Sequence, residues 1–178
     1  CSSDLLRTME KLYITSLQNP LVKAWRALKD AKARAEQGLF LAEGDHLTGE
    51  ALTAHAAAAL LIAEQEQARY QRHLDAAQGQ NLSVYVLSDR AMAAVCDAKT
   101  PQGVAALCRL PQLHQPLPAD KLKIAALDGV QDPGNVGTML RTLDAAGFDA
   151  LLLGAGTADP FSPKALRATM GAVFRVPV

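Results

Sequence analysis

The stretch between Ile124 and Gly147 constrains the fold more than any other part of the chain. An apolar run at residues 124–127 reads as a buried parallel strand, because strands covered on both faces are continuously apolar rather than alternating. A loop containing Asp132, Pro133, Gly134 and Asn135 follows. Val136, Leu140, Leu143 and Gly147 then recur at helical spacing. The loop therefore sits between the carboxyl end of a strand and the amino end of a helix. Open α/β sheets bind their ligands at that place, and free amides at a helix start favour anions.

The rest of the chain repeats the alternation. Asn19 and Pro20 form a cap followed by proline at the first helical position, which predicts a helix to about Ala35 that ends at Gly38. Strands are expected at residues 39–42, 58–63, 82–87 and 104–108. The helices between them are expected at 45–52, capped by Asp45, at 64–77, and at 88–96, capped by Ser88. This is a three-layer α/β unit with a mainly parallel sheet. Residues 110–118 hold three prolines, an extended and stiff composition suited to a linker. A second α/β pattern follows, with strands at 123–127, 150–153 and 174–178 and helices at 136–146 and 162–170. The expected division is a first domain over residues 11–110, a linker over 111–119 and a second domain over 120–178. The second stretch is short enough that its own core is meagre.

Composition narrows the classes. No run of about 18 apolar residues is present to span a bilayer, and no secretory signal is visible. Basic and acidic residues balance at 18 each, so any nucleic-acid contact has to come from local clusters rather than net charge. Cys1, Cys96 and Cys108 have no metal-ligand spacing, so no metal site is expected, and an odd count suits no disulfide framework. Cys96 and Cys108 lie in apolar surroundings and read as inert core thiols. A reducing cytoplasm is the expected location. Cys1 could mimic a lipoprotein end, and Met9 could be a natural start; the sequence leaves both open.

The loop and its helix, over residues 127–147, closely resemble the first motif of the SpoU (TrmH-type) RNA ribose 2′-O-methyltransferases of the knotted SPOUT class. The resemblance implies methyl transfer from S-adenosylmethionine to a ribose 2′-hydroxyl of structured RNA, with Asn135 and Arg141 as the catalytic pair. A sugar hydroxyl is a poor nucleophile until it is oriented and its proton drawn away. A guanidinium is a poor base, so clamping the adjacent phosphate is the favoured role for Arg141, with action as a base left open. As a plain structural alternative, Asn135 only caps the helix and Gly137 only eases the backbone. Residues 159–177 also match the family. Residues 161–178 carry Lys164, Arg167 and Arg175 and no acid, which predicts a local basic face and RNA contact by Lys164 and Arg167.

Residues 14–23, 38–44 and 100–103 resemble the substrate-binding domain, with a fold like ribosomal protein L30e, that is often fused to these enzymes. The segment 19–37 holds five basic residues (Lys23, Arg26, Lys29, Lys32, Arg34) against the acids Asp30 and Glu36. RNA contact is expected from Lys23, Arg26 and Lys29, with a merely solvated helix flank as the alternative. Aromatic residues are 4% of the chain, so backbone and shape contacts, not base stacking, should dominate.

The expected fold class is thus α/β: an L30e-like three-layer domain followed by an incomplete SPOUT domain. The family's two later motifs, Asn-Glu-x-x-Gly and Ser-x-Asn, are not found in these 178 residues. The resemblance places the knotted cofactor pocket and much of the dimer interface there. The cofactor-binding residues are therefore unknown, and these residues alone are expected to bind S-adenosylmethionine weakly or not at all. The full-length protein is expected to be a homodimer acting on RNA, ribosomal in preference to transfer RNA, with no membrane partner. A non-catalytic RNA-binding protein, or an inactive fragment, is the competing reading. A dinucleotide-dependent dehydrogenase fits poorly, because no Gly-x-Gly-x-x-Gly follows a strand.

Overall fold

The computed structural model describes residues 11–111 and 122–178. The linker expected at 111–119 and the possible starts at Cys1 and Met9 fall mostly or wholly outside them.

The first stretch runs β1 (Lys11–Ile14), α1 (Pro20–Ala27), α2 (Ala31–Gln37), β2 (Leu39–Glu43), α3 (Asp45–Thr53), β3 (Ala57–Ala63), α4 (Gln71–Gly79), β4 (Ser83–Leu87), α5 (Asp89–Val95) and β5 (Val104–Arg109). Its sheet has the order β1-β4-β3-β5-β2. β1, β4 and β3 pair in parallel, whereas β5 is antiparallel to both β3 and β2. The sheet is therefore mixed, with one reversed strand. β5 lies on the far side of β3 from β4, so the segment carrying α5 passes over β3 before β5 runs back antiparallel to it.

Alternation in the strands explains the three layers. Leu60 and Ile62 of β3, with Val104, Ala106 and Cys108 of β5, face α3 and α4 through Leu47, Leu52 and Leu74. The neighbouring Ala59, Leu61, Ala105 and Leu107 face α1 and α5 through Val22, Trp25, Met92 and Val95. Cys96 and Cys108 are both buried. Burial pushes the Cys96 thiol up to about 12 and Cys108 higher still, so both stay protonated and unreactive at neutral pH.

The second stretch runs β6 (Ile124–Leu127), α6 (Pro133–Ala145), β7 (Ala150–Leu153) and α7 (Pro163–Thr169), then a single 3-10 turn (Ala172–Phe174). β6 and β7 pair in parallel. The expected strand at 174–178 does not form. The chain bends at the turn, and only the Pro177 carbonyl reaches the sheet edge, accepting from Leu151 N–H at 2.9 Å. The small second stretch does not rely on a core of its own. Leu140, Leu151, Phe161, Leu166 and Val173 belong to the same apolar cluster as Phe40 and Ile62 of the first. Phe40 lies 5.0 Å from Phe161 and 6.0 Å from Phe174, ring centre to ring centre.

Three helices of the first stretch differ from expectation. The helix expected over 20–35 breaks between Ala27 and Ala31. The carbonyls freed at the break, of Leu28 and Lys29, each accept from Arg34 Nη1 at 2.8 Å. Arg34 is 3% exposed and pairs through its other nitrogens with Asp159 of the second stretch. The helix expected over 64–77 opens with a separate 3-10 turn, and α4 begins only at Gln71. Asp45 is not a cap. Gly44 precedes α3, the Asp45 amide donates to Gln102 Oε1 at 2.7 Å, and its carboxylate binds Arg72 and His73.

Removing Asp159 leaves the buried guanidinium with backbone carbonyls alone. Asp159→Ala is expected to cost about 1.5–3 kcal/mol, read from the urea midpoint. An unchanged midpoint would mean that the carbonyls suffice for Arg34.

Candidate active site

The loop after β6 is built from short polar contacts. The Leu127 carbonyl accepts from Gly154 N–H at 2.7 Å and from the Thr157 hydroxyl at 3.1 Å, and Ala158 N–H donates to the Val130 carbonyl at 2.8 Å. The chain then enters α6 at Pro133, with Asp132 as its cap: Asp132 Oδ1 accepts from Asn135 N–H at 2.9 Å. The helix starts three residues earlier than expected. Proline needs no hydrogen bond at the first helical position, and Asp132 supplies the cap that Asn135 could have been expected to supply. The capping reading of Asn135 is thereby excluded. Its side chain is exposed on the first turn, with no hydrogen-bond partner among the described residues.

Arg141 lies six residues further along α6, a rise of about 9 Å. Val136, Gly137 and Leu140 are buried, while Arg141 is exposed and has no ion-pair partner among the described residues. Long helical side chains point back toward the helix start, which is the end where the loop lies. Asn135 and Arg141 are thus left out of the packing on one helix.

Gly137 does more than ease the backbone. A Cβ there would overlap the Ala165 carbonyl oxygen and come within 2.7 Å of Ala168 Cβ. The glycine lets α6 and α7 cross at backbone contact. That crossing puts Lys164 over the loop: its Nζ reaches Asp132 Oδ2 at 2.6 Å and lies 3.9 Å from where a Gly134 Cβ would stand. Lys164, and then the amide of Asn135, hold the Asp132 carboxyl below the usual carboxylate range. The pair is therefore intact at neutral pH and is released only as the pH falls below that range.

The basic face expected over 161–178 is not a bare one. Each of its cations meets an acid from elsewhere in the chain. Lys164 pairs with Asp132, Arg167 Nη1 with Asp97 Oδ2 at 2.9 Å, and Arg175 with Asp144 at 2.8 Å and with Glu50. The acids lie outside the counted segment, so the local excess of charge disappears in space. Lys23 and Arg26 are exposed on α1. Lys29, just past its end, donates to the Ala94 carbonyl at 3.4 Å and shares a crevice with Pro163 at the start of α7. The structure thus brings Lys29 beside α7.

Several contributors had no sequence signal. Glu43 accepts from the amides of Asp97 and Ala98 at 2.6 and 3.1 Å, and His46 Nε2 lies 3.1 Å from the Met170 carbonyl oxygen. The first joins distant parts of the first stretch and the second joins the two stretches, pairings that spacing cannot reveal.

Gly137→Ala should cost about 1–3 kcal/mol through overpacking and should spread or misplace α6 against α7. The check is thermal unfolding together with the amide spectrum of residues 133–145. Wild-type stability in the variant would disprove the close crossing.

Residues 123–178 match the SpoU rRNA Methylase family, and residues 19–106 match the MRM3-like substrate binding domain. The chain is 42% identical over 165 residues to the 23S rRNA (guanosine(2553)-2'-O)-methyltransferase RlmP of Bacillus subtilis, a match covering 93% of this chain and 63% of that protein. It is 32% identical over 161 residues to the mitochondrial rRNA methyltransferase 3 of Homo sapiens, covering 85% of this chain and 37% of that protein. The chain thus spans less than two thirds of the length of these relatives. Among solved structures it is similar to an AdoMet-bound rRNA methyltransferase from Sinorhizobium meliloti. That match has a TM-score of 0.79 at 34% identity, and covers 94% of this chain and 63% of that one.

Proposed function

The chain belongs to the SpoU rRNA methylase family, and from that premise we propose that it supplies the substrate side of an RNA ribose 2′-O-methyltransferase acting on ribosomal RNA. The observation that carries this reading is the state of α6. Its cap is Asp132, its packing face is Val136, Gly137 and Leu140, and Asn135 and Arg141 are left exposed beside the loop. An arginine with no partner among the described residues, next to a loop at a strand's carboxyl end, has a fork of donors to offer a phosphate.

In this reading Arg141 clamps the phosphate next to the target ribose, and Asn135 orients the 2′-hydroxyl. Fixing the hydroxyl against its methyl donor lowers the entropic part of the barrier, and the guanidinium offsets charge that builds as the hydroxyl proton leaves. Residues 11–110 act as the substrate-binding domain, with Lys23, Arg26 and Lys29 toward the RNA backbone. Residues 120–178 form the first part of the methyltransferase domain, with Lys164 and Arg167 as further phosphate contacts. The working form is a cytoplasmic homodimer. Among the described residues no helix is long and apolar enough to cross a membrane.

S-adenosylmethionine is the methyl donor of this reaction and supplies an electrophilic methyl carbon. The described residues do not form a cradle for it. The loops after β6 and β7 are bonded to each other through Leu127, Val130, Gly154 and Ala158, and a Cβ at Gly154 would already lie 2.7 Å from Asp128 Oδ1. In the proposed reading this chain's share is to bind and orient the RNA.

In the protein extended to the length of its relatives, Arg141→Ala should lower methyl transfer to ribosomal RNA about 100-fold or more. The unfolding temperature should not move, because the side chain is exposed. Unimpaired transfer by this variant would remove Arg141 from the chemistry. Calorimetric titration of this chain with S-adenosylmethionine should show no micromolar binding, and such binding would refute the division of labour drawn here.

A further inference from the structure

We infer that the exposed face of α7 guides an RNA strand from the methylation loop into the crease between the two stretches, with Asp132 and Asp97 holding the places of two of its phosphates until RNA arrives. The inference rests on the RNA reading above and adds a path and a regulating pair of acids to it.

Lys164 and Arg167 stand one turn apart on one face of α7. Each is held by a carboxylate from a different element, Asp132 at the loop and Asp97 after α5. All four side chains are open to water, with exposures of 60% and 47% in one pair and 45% and 36% in the other. Ion pairs so exposed contribute little to folding. A phosphate offers the same cations more charge and more acceptor oxygens than a carboxylate does. Exchange of carboxylate for phosphate is therefore easy, and the acids prevent the cations from attracting other anions meanwhile.

Beyond Arg167 the face opens into a crease of about 280 Å³, lined by Arg167, Met170, His46, Thr100 and Gln102 among others. Its walls are held by the chain's own hydrogen bonds. Glu43 ties down the amides of Asp97 and Ala98, and Gln102 ties down the amide of Asp45. Met170 marks the crease as more than a gap. It ends α7 in the left-handed conformation, φ 49°, where glycine or asparagine is the usual choice. Its side chain is nonetheless 46% exposed, while its carbonyl is held by His46. A strained backbone that keeps an exposed, soft apolar side chain suits a ligand contact. In a chain poor in aromatic rings, Met170 offers the surface on which a nucleobase next to the target can rest.

The test is the affinity of this chain for a fluorescent single-stranded RNA oligonucleotide, by anisotropy across a salt series. Arg167→Gln and Lys164→Gln should weaken binding and each lower the salt slope by about 0.7. Asp97→Asn and Asp132→Asn should tighten it about fivefold, because each removes one competing charge near a phosphate. Asparagine caps a helix as well as aspartate, so Asp132→Asn keeps α6. Met170→Gly relieves the strained backbone and should raise the unfolding temperature while weakening RNA several-fold, two changes that a purely structural role would not produce together. Struts between the two stretches would behave otherwise. If the asparagine variants bind RNA no better than the parent, the exchange of phosphate for carboxylate is refuted while RNA binding stands. If neither the parent nor any variant binds RNA, the functional reading falls, and this inference with it.

Discussion

A buried guanidinium sits at the junction of the two halves of this fold. Arg34 is nearly inaccessible, and its donors go to three acceptors. Two are carbonyls exposed by the break between α1 and α2; the third is the Asp159 carboxylate at the entrance to α7. A buried cation is tolerated only where it is paired and its hydrogen bonds are complete. The break in the first helix and the approach of the second stretch are therefore one solution to one problem. The Phe40, Phe161 and Phe174 cluster packs beside it, adding apolar burial to a charge interaction that on its own contributes modestly to stability.

That junction decides what the flanking surfaces can do. The second stretch shares an apolar cluster with the first, so α7 lies against β2. Its polar face then lies between the loop before α6 and the segment after α5. The cations of residues 161–178 consequently meet acids supplied by both sides. A neutral overall charge is compatible with binding a polyanion when the cations sit in exposed pairs whose acids can be exchanged.

Where the pattern was local, the sequence was legible. Asn19, Ser88 and Ser162 each cap a helix through the side-chain oxygen, as their identity and the following residues imply. The continuous apolar runs of β3 and β5 imply two covered faces, and both faces are packed. Where the outcome depended on distant partners, it was not legible. The helix periodicity of residues 20–35 is sound up to Ala27, and the carbonyls freed at the break are taken up by Arg34, whose charge is met by Asp159 far along the chain. β5 looks like any other buried strand, and nothing in its residues marks its reversed direction. The cap of α6 was ambiguous between Asp132 and Asn135, since both are good capping residues and the proline between them decides the matter. The expected strand at 174–178 failed because the left-handed Met170 and Gly171 turn the chain first.

The crossing of α6 over α7 has an evolutionary side. At Gly137 the space for a side chain is occupied by the backbone of the next helix, so that position admits one amino acid. Asn135 and Arg141, a few residues away, face water and support nothing in the packing. In the proposed reading, selection for shape and selection for chemistry therefore act on different letters of the same short segment. A lineage released from the need for catalysis could lose the pair by drift and keep an intact, well-folded descendant.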